Sequence, residues 1–399
     1  MKTAIVGTAQ GIFVVDAAGG GSSRGLAGPS VRHLSRVNGH CLAGSTAGIF
    51  RSPDGGRTWQ ASGIGGREVW DVTAAPSDPE TLYAVTEPAG VFLSRDAGAS
   101  WTEVAAFRRA PGFEQWCVPL NPPRPGRART IVIDRANPDR WCVGVEVGGV
   151  VLTEDGGRSW TFTLPGGNPD LHMIVAKPDE PGVLFASTGF GRIDRSEPME
   201  KRIAGMFRSD DHGKTWRFQW AGMAPPYTRP LCIDPRPPHA VTVGSSPTAF
   251  SSFKDAGGAR AMLFQSTDGG ETWRSLGDAD HSPSAAQIHA VTADPETPRR
   301  FTQRVERAFE VHRDLAVEQP VIAFGQGCEL HDAGVVHQHI DAAEPRLGRV
   351  KQANDGCRIG DIGTGRCRAP AGCLDLANHG LGRGFAAGVV DDNGETVVR

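Results

Sequence analysis

Apolar residues along the 399-residue chain fall into short runs, alternating with polar positions at a period of two and cut by Gly, Pro, Asp and Ser. That period is the mark of strands, and no stretch before residue 299 sustains a helical one. Five of the runs lead into the same eight-residue box. The first copy is Ser52, Pro53, Asp54, Gly55, Gly56, Arg57, Thr58, Trp59, and the others begin at Ser94, Thr153, Ser209 and Ser266. Every copy keeps a hydroxyl, an Asp two positions on (Asp54, Asp96, Asp155, Asp211, Asp268), a Gly, a second hydroxyl and a Trp. An Asp folds its carboxylate back onto backbone N–H groups just downstream, and Gly takes the positive φ of a tight hairpin. These five Asp residues therefore read as structural turn formers, with each Trp packing its apolar face beneath its turn.

Upstream of four boxes a second pattern recurs: an apolar run closing on a Pro-containing turn (72–79, 131–138, 174–181, 231–238), then another apolar run. Each repeat thus holds four short strands, A to D, with the box between C and D. Four strands per roughly 40–60 residues predict the blade of an all-β propeller. Residues 3–16 supply only a B and a C strand, and the missing A strand is at 288–295. The B strands predict a single propeller of six four-stranded antiparallel blades over residues 1–298, closed by pairing these two ends, with seven blades as the alternative. Residues 299–399 carry no box and read as an irregular tail or a degraded last blade, with 301–317 as one helix.

The boxes resemble the Asp-box (bacterial neuraminidase) repeats shared by sialidases, sortilin-type receptors, xyloglucanases and many bacterial propellers. The resemblance spans residues 1–298. It implies the propeller fold firmly and any one activity weakly, because function lives in sites grafted onto folds.

Composition narrows the classes. Charged residues at 22% and hydrophobic residues at 39% exclude a disordered chain, and a net charge of −3 argues against nucleic-acid or membrane-surface partners. No apolar run reaches the length of a membrane span, and the N-terminal residues read as two strands rather than a leader. Eight Cys without a tight framework point to a reducing cytoplasm. Cys328, Cys357, Cys367, Cys373, His331, His337, His339 and His379 have the wrong spacing for a zinc site, so neither metal nor cofactor is expected. A monomer is expected.

In a four-stranded blade the D-to-A and B-to-C loops leave on one face and the boxes on the other. The insertions at 102–128, 189–204 and 247–260 all belong to the first face, which marks it as the binding side. Aligning the A strands on their turns places Trp70, Arg129, His172, Arg229 and His289 at one position, with Arg32 the match in the remaining blade. Converging guanidiniums hold carboxylate, phosphate or sulfate by charge-assisted bonds, so these six form the candidate ligand-binding set. Acidic candidates at the same mouth are Glu68, Asp71, Glu87 and Glu146. Likeness to sialidases implies an arginine triad, imitated here by Arg32, Arg129 and Arg229, and a Tyr nucleophile paired with Glu. Tyr227 is the sole nucleophile candidate, with Glu146 and Asp71 as further catalytic candidates. The early Phe/Tyr-Arg-Ile-Pro segment of sialidases is absent, and Phe107, Arg108, Arg109, Ala110, Pro111 is a poor copy. Two readings stand. One is a non-catalytic scaffold offering a cationic channel mouth to an anionic small molecule, glycan or protein. The other is an exo-acting glycoside hydrolase related to sialidases.

Overall fold

The computed structural model describes residues 3–16, 22–118, 122–190, 203–248, 258–276, 282–285 and 287–293, and short strands from 301 to 397. Among the described residues the strands form seven four-stranded antiparallel sheets and two two-stranded ribbons, and no α-helix occurs. Five sheets follow one plan, with strands in chain order and a box between the third and fourth. The first sheet is Val31–Val37, His40–Ser45, Gly48–Ser52 and Gln60–Gly63; the second is Glu68–Ala75, Asp78–Glu87, Gly90–Ser94 and Thr102–Glu103. The third is Arg127–Ile133, Trp141–Glu146, Gly149–Thr153 and Thr161–Thr163. The fourth is Leu171–Ala176, Leu184–Thr188, Gly205–Ser209 and Arg217–Phe218, and the fifth is Tyr227–Ile233, Val241–Ser246, Met262–Ser266 and Arg274–Ser275.

Two sheets lack a box. The sixth is Gln287–Ala293, Phe301–Glu306, Ile322–Gly325 and Cys328–Glu329. The seventh joins Val335–Gln338 to Thr3–Thr8, Gly11–Asp16 and Ser22–Ala27. The expected pairing of the 288–295 strand with the N-terminal strands is not made. Gln287–Ala293 pairs with Phe301–Glu306 instead, and Thr3–Thr8 takes Val335–Gln338 as its outer partner. Phe301–Glu306, expected as the start of a helix, is a strand, because its neighbour in the sheet decides between two periods that a short run cannot separate. The remainder of the expected helix lies outside the described residues, as do the side chains of the Cys/His group of the tail.

Hydrophobic burial joins successive sheets face to face. Leu42 and Ile49 of the first sheet meet Val72 and Leu82 of the second, and Tyr83 and Val91 of the second meet Ile131 and Val143 of the third. Leu152 then packs with Ile174 and Phe207, Phe185 with Leu231 and Val243, and Leu263 with Ile288. Ile5 and Ile12 of the seventh sheet pack on Leu34 and Ala43 of the first. Middle strands are covered on both sides, and all five residues of Gly149–Thr153 are buried. The first strands of neighbouring sheets lie side by side from the first sheet to the sixth.

The boxes fold alike. The leading hydroxyl donates to the Asp carboxylate (Ser52 to Asp54, 2.8 Å) and accepts from the Gly N–H four residues on (Gly56, 2.8 Å). The second hydroxyl and its own N–H both donate to the same carboxylate (Thr58 to Asp54, 2.6 and 2.9 Å). This pattern recurs at Asp96, Asp155, Asp211 and Asp268. Donors from Thr58 hold the Asp54 carboxyl down at about 2, and those from Ser100 do the same for Asp96. The Trp59 and Trp160 indoles cap carbonyls of their own turns, whereas Trp101, Trp216 and Trp273 reach back to the preceding sheet.

Candidate functional site

Six first strands share one irregularity. Each loses register with its partner near its start. The residue passed over is Arg32, Trp70, Arg129, His172 or His289 in five of them, and Arg229 with Pro230 in the sixth. The six positions aligned in the sequence are therefore the extra residues of six β-bulges. A bulge re-aims a side chain out of the alternating pleat, and bulges gather next to binding sites.

Trp70 is the centre of what these bulges assemble. The guanidinium carbons of Arg32, Arg127 and Arg129 lie 4.7, 4.9 and 4.8 Å from its ring centroid. Carboxylates alternate with the guanidiniums around it. Arg32 Nε is 2.6 Å from Glu68 Oε1. Arg124 Nη2 stands 3.7 Å from Glu68 and 2.6 Å from Glu87. Arg127 Nε lies 3.0 Å from Glu87, and its Nη1 lies 3.5 Å from the Glu146 oxygen that Arg129 Nη1 approaches at 2.9 Å. Glu68 and Glu87 face each other across two strands, a like-charge pair that repels unless a cation sits between them, which Arg124 supplies. Of the acidic candidates expected at the same mouth, Glu68, Glu87 and Glu146 pair with the guanidiniums.

The next sheets extend this chain. His172 is buried, with Nδ1 2.6 Å from the Thr228 carbonyl and Nε2 3.0 Å from the Tyr227 hydroxyl and 3.4 Å from Asp170 Oδ1. A carbonyl only accepts, so Nδ1 carries a proton. Glu146, Asp170 and His172 offer ligand atoms within 4.8 Å of one another. Arg127 and Arg129 already fill the cation's role at Glu146. Burial works to raise the Glu146 pKa, but those two guanidiniums outweigh it and hold the carboxyl well below its usual range. Burial pushes the Tyr227 phenol far above its usual value, with the Asp170 charge adding to it. Burial likewise raises Glu87 against the pull of Arg127.

Asp71 serves packing. It is buried, and its Oδ2 accepts the Ile131 N–H of the next sheet at 3.0 Å. Burial raises its pKa, with His33 opposing from 3.3 Å. Arg229 follows Thr228 in the fifth sheet, and its charge acts on Arg129, Glu146 and Tyr227. His289 sits at the sixth bulge, half-buried. The sequence reading missed Arg124, Arg127 and Asp170. Arg127 stands two residues before Arg129 and opposite Glu146, a cross-strand pairing that the strand register alone points to. Of the insertions, the described part of 102–128 folds onto the core through Phe107 and Trp116, with Phe107 5.0 Å from the Trp160 ring. Most of 189–204 and of 247–260 lies outside the described residues.

Two donors stand out. Trp70 Nε1 and Arg127 Nη2 are buried and find no acceptor among the described residues. Arg127 itself is only 3% exposed.

The sheets and their stacking define an all-β protein, and its solved neighbours support a β-propeller. No family model matches the chain. It is 26% identical over 178 residues to a xyloglucanase from Paenibacillus sp, covering 40% of this chain and 15% of that protein. It is 25% identical over 270 residues to the photosystem II assembly protein Ycf48 of Synechococcus sp., covering 61% of this chain and 73% of that one. Among solved structures it resembles the GH74 xyloglucanase from Xanthomonas campestris, with a TM-score of 0.56, 18% identity, and 83% of this chain and 52% of that chain covered. It also resembles Ycf48 bound to D1 peptide, with a TM-score of 0.50, 13% identity, and 76% and 84% covered. The chain spans about half the length of the Xanthomonas xyloglucanase.

Proposed function

We propose that this chain is a non-catalytic Asp-box propeller that binds a segment of a partner protein at the Trp70 mouth. The observation that carries the reading is the pair of buried donors, Trp70 Nε1 and Arg127 Nη2, set beside carboxylates that already neutralise the arginines. Orphaned buried donors are costly unless something outside supplies an acceptor. A site that presents donors and acceptors together suits a peptide, whose backbone carries both, better than a bare anion. The similar structure of Ycf48 bound to D1 peptide is a propeller of similar size, which is in keeping with this reading.

The hydrolase reading has less behind it. A glycosidase needs one carboxyl that gives up a proton and another free to attack or to activate water. Here Glu146 is held ionised by Arg127 and Arg129, Glu87 is engaged by Arg124 and Arg127, and the neighbour of the Tyr227 hydroxyl is His172. In the same reading the seven sheets are seven blades, so the propeller runs to Gln338, and the strand Val335–Gln338 ties the C-terminal part to the N-terminal one.

The test is selection of a displayed random dodecapeptide library on the immobilised protein, alongside Arg127→Gln and Trp70→Phe. Enrichment of a common motif by the parent and its loss with Arg127→Gln supports the proposal. Turnover of xyloglucan oligosaccharides or fluorogenic sialosides, lost in Glu146→Gln, overturns it.

A further inference from the structure

A second site lies away from the mouth, on the side of the boxes, where the third and fourth sheets meet. A cavity of about 110 Å³ opens there between Arg140 and Trp141 of the third sheet and His212 and Lys214 of the fourth, with Leu152 in its wall. Arg140 immediately precedes a second strand, while His212 and Lys214 are residues of a box. The repeat supplies its own control. Positions equivalent to Arg140 hold His40, Thr81, Val183 and Ala240, and those equivalent to Lys214 hold Arg57, Ala99, Arg158 and Glu271. At these equivalent positions of the described box-bearing sheets, Arg140, His212 and Lys214 are the one set that brings three basic side chains together.

Their charges are shared unevenly. Asp134, nearly buried, is a single negative charge with two claimants: Arg140 Nη1 at 3.1 Å and His212 Nδ1 at 2.6 Å. At the rim Glu154 places Oε1 2.9 Å from Lys214 Nζ and 3.4 Å from Arg140 Nε. Arg140 Nε is a buried donor that nevertheless has no aligned acceptor. Glu154 is half-exposed, so it can turn into water at little cost, leaving Arg140 and Lys214 facing the cavity with an apolar wall behind them. His212 also holds a positive φ of 61°, where glycine stands in three of the other four boxes. A left-handed His costs conformational energy that its bond to Asp134 offsets.

We propose that this cavity binds a tetrahedral oxyanion, inorganic phosphate or a phosphomonoester, held by Arg140 and Lys214 with Glu154 as a displaceable internal carboxylate. Charge-assisted bonds from a guanidinium and an ammonium beside an apolar wall are the recognition chemistry such a group uses. The volume exceeds that of a single water, which needs roughly 10–15 Å³ on the same measure.

The test is calorimetric titration with inorganic phosphate and with O-phosphoserine, against chloride at matched ionic strength. Removing the competing carboxylate by Glu154→Gln is expected to tighten phosphate binding by roughly 3–10-fold. Lys214→Ala is expected to weaken it by a similar factor, and Arg129→Gln to leave it unchanged. Binding of both probes assigns the site to phosphomonoesters, and binding of phosphate alone assigns it to the free ion. Chloride matching phosphate, or affinity unmoved by Glu154→Gln, overturns the proposal. So does a response lost with Arg129→Gln, which moves the anion to the mouth.

Discussion

Trp160 shows what a single side chain contributes. Its ring lies 5.0 Å from Phe107 and 6.1 Å from Trp141, and its indole N–H caps Gly157. Truncating a buried aromatic of this kind leaves a cavity that neighbours fill only partly. Trp160→Ala is expected to cost about 3–5 kcal/mol, read as a lower urea midpoint. Glu146 is a different case, since its packing is unremarkable and its charge decides. Glu146→Gln leaves the buried Arg127 and Arg129 without their shared partner, and breaking such a pair costs roughly 3–5 kcal/mol. Adding Arg129→Leu to that variant is expected to recover part of the loss, because one of two mutually repelling cations is gone. A double-mutant cycle measures the coupling, and strictly additive losses would falsify the paired arrangement.

At the scale of the element, the box turns link acid titration to folding. Asp54 and Asp96 are held at about 2 by donors from Thr58 and Ser100. Their folded values lie below the unfolded value near 4, so the stability they add is present above about pH 4 and disappears as pH falls through about 2. Unfolding midpoints followed from pH 5 to pH 2 are expected to fall across that window, with a shallower fall in Asp54→Asn. The same turns explain what the sequence made legible. A box is local chemistry repeated, so its strands and hairpins follow from residues a few positions apart. Five of the six bulge residues were legible because each sits at a fixed offset from a Pro-containing turn, and Arg32 was matched to them in the blade whose turn lacks Pro. Arg124 and Arg127 were not legible, since their partners Glu87 and Glu146 are set by strand register and by neighbouring sheets. Nor were the strands after residue 298, which lack a box and owe their identity to the strands beside them.

For the molecule as a whole, the seventh sheet matters most, because it combines strands from both ends of the chain. Truncation after residue 345 is expected to leave one cooperative calorimetric transition. Truncation after residue 298 takes away the partner of Gln287–Ala293 and the outer partner of Thr3–Thr8 and is expected to broaden the transition and cause aggregation. An unaltered transition after the shorter cut would favour six blades over the proposed seven. The outermost strands carry a separate consequence. Thr102–Glu103, Arg217–Phe218 and Arg274–Ser275 are two residues long, and each contains a charged side chain. So brief a margin gives a stray extended chain almost nothing to zip onto, and these three sheets are thereby kept from growing into a fibre at their rim.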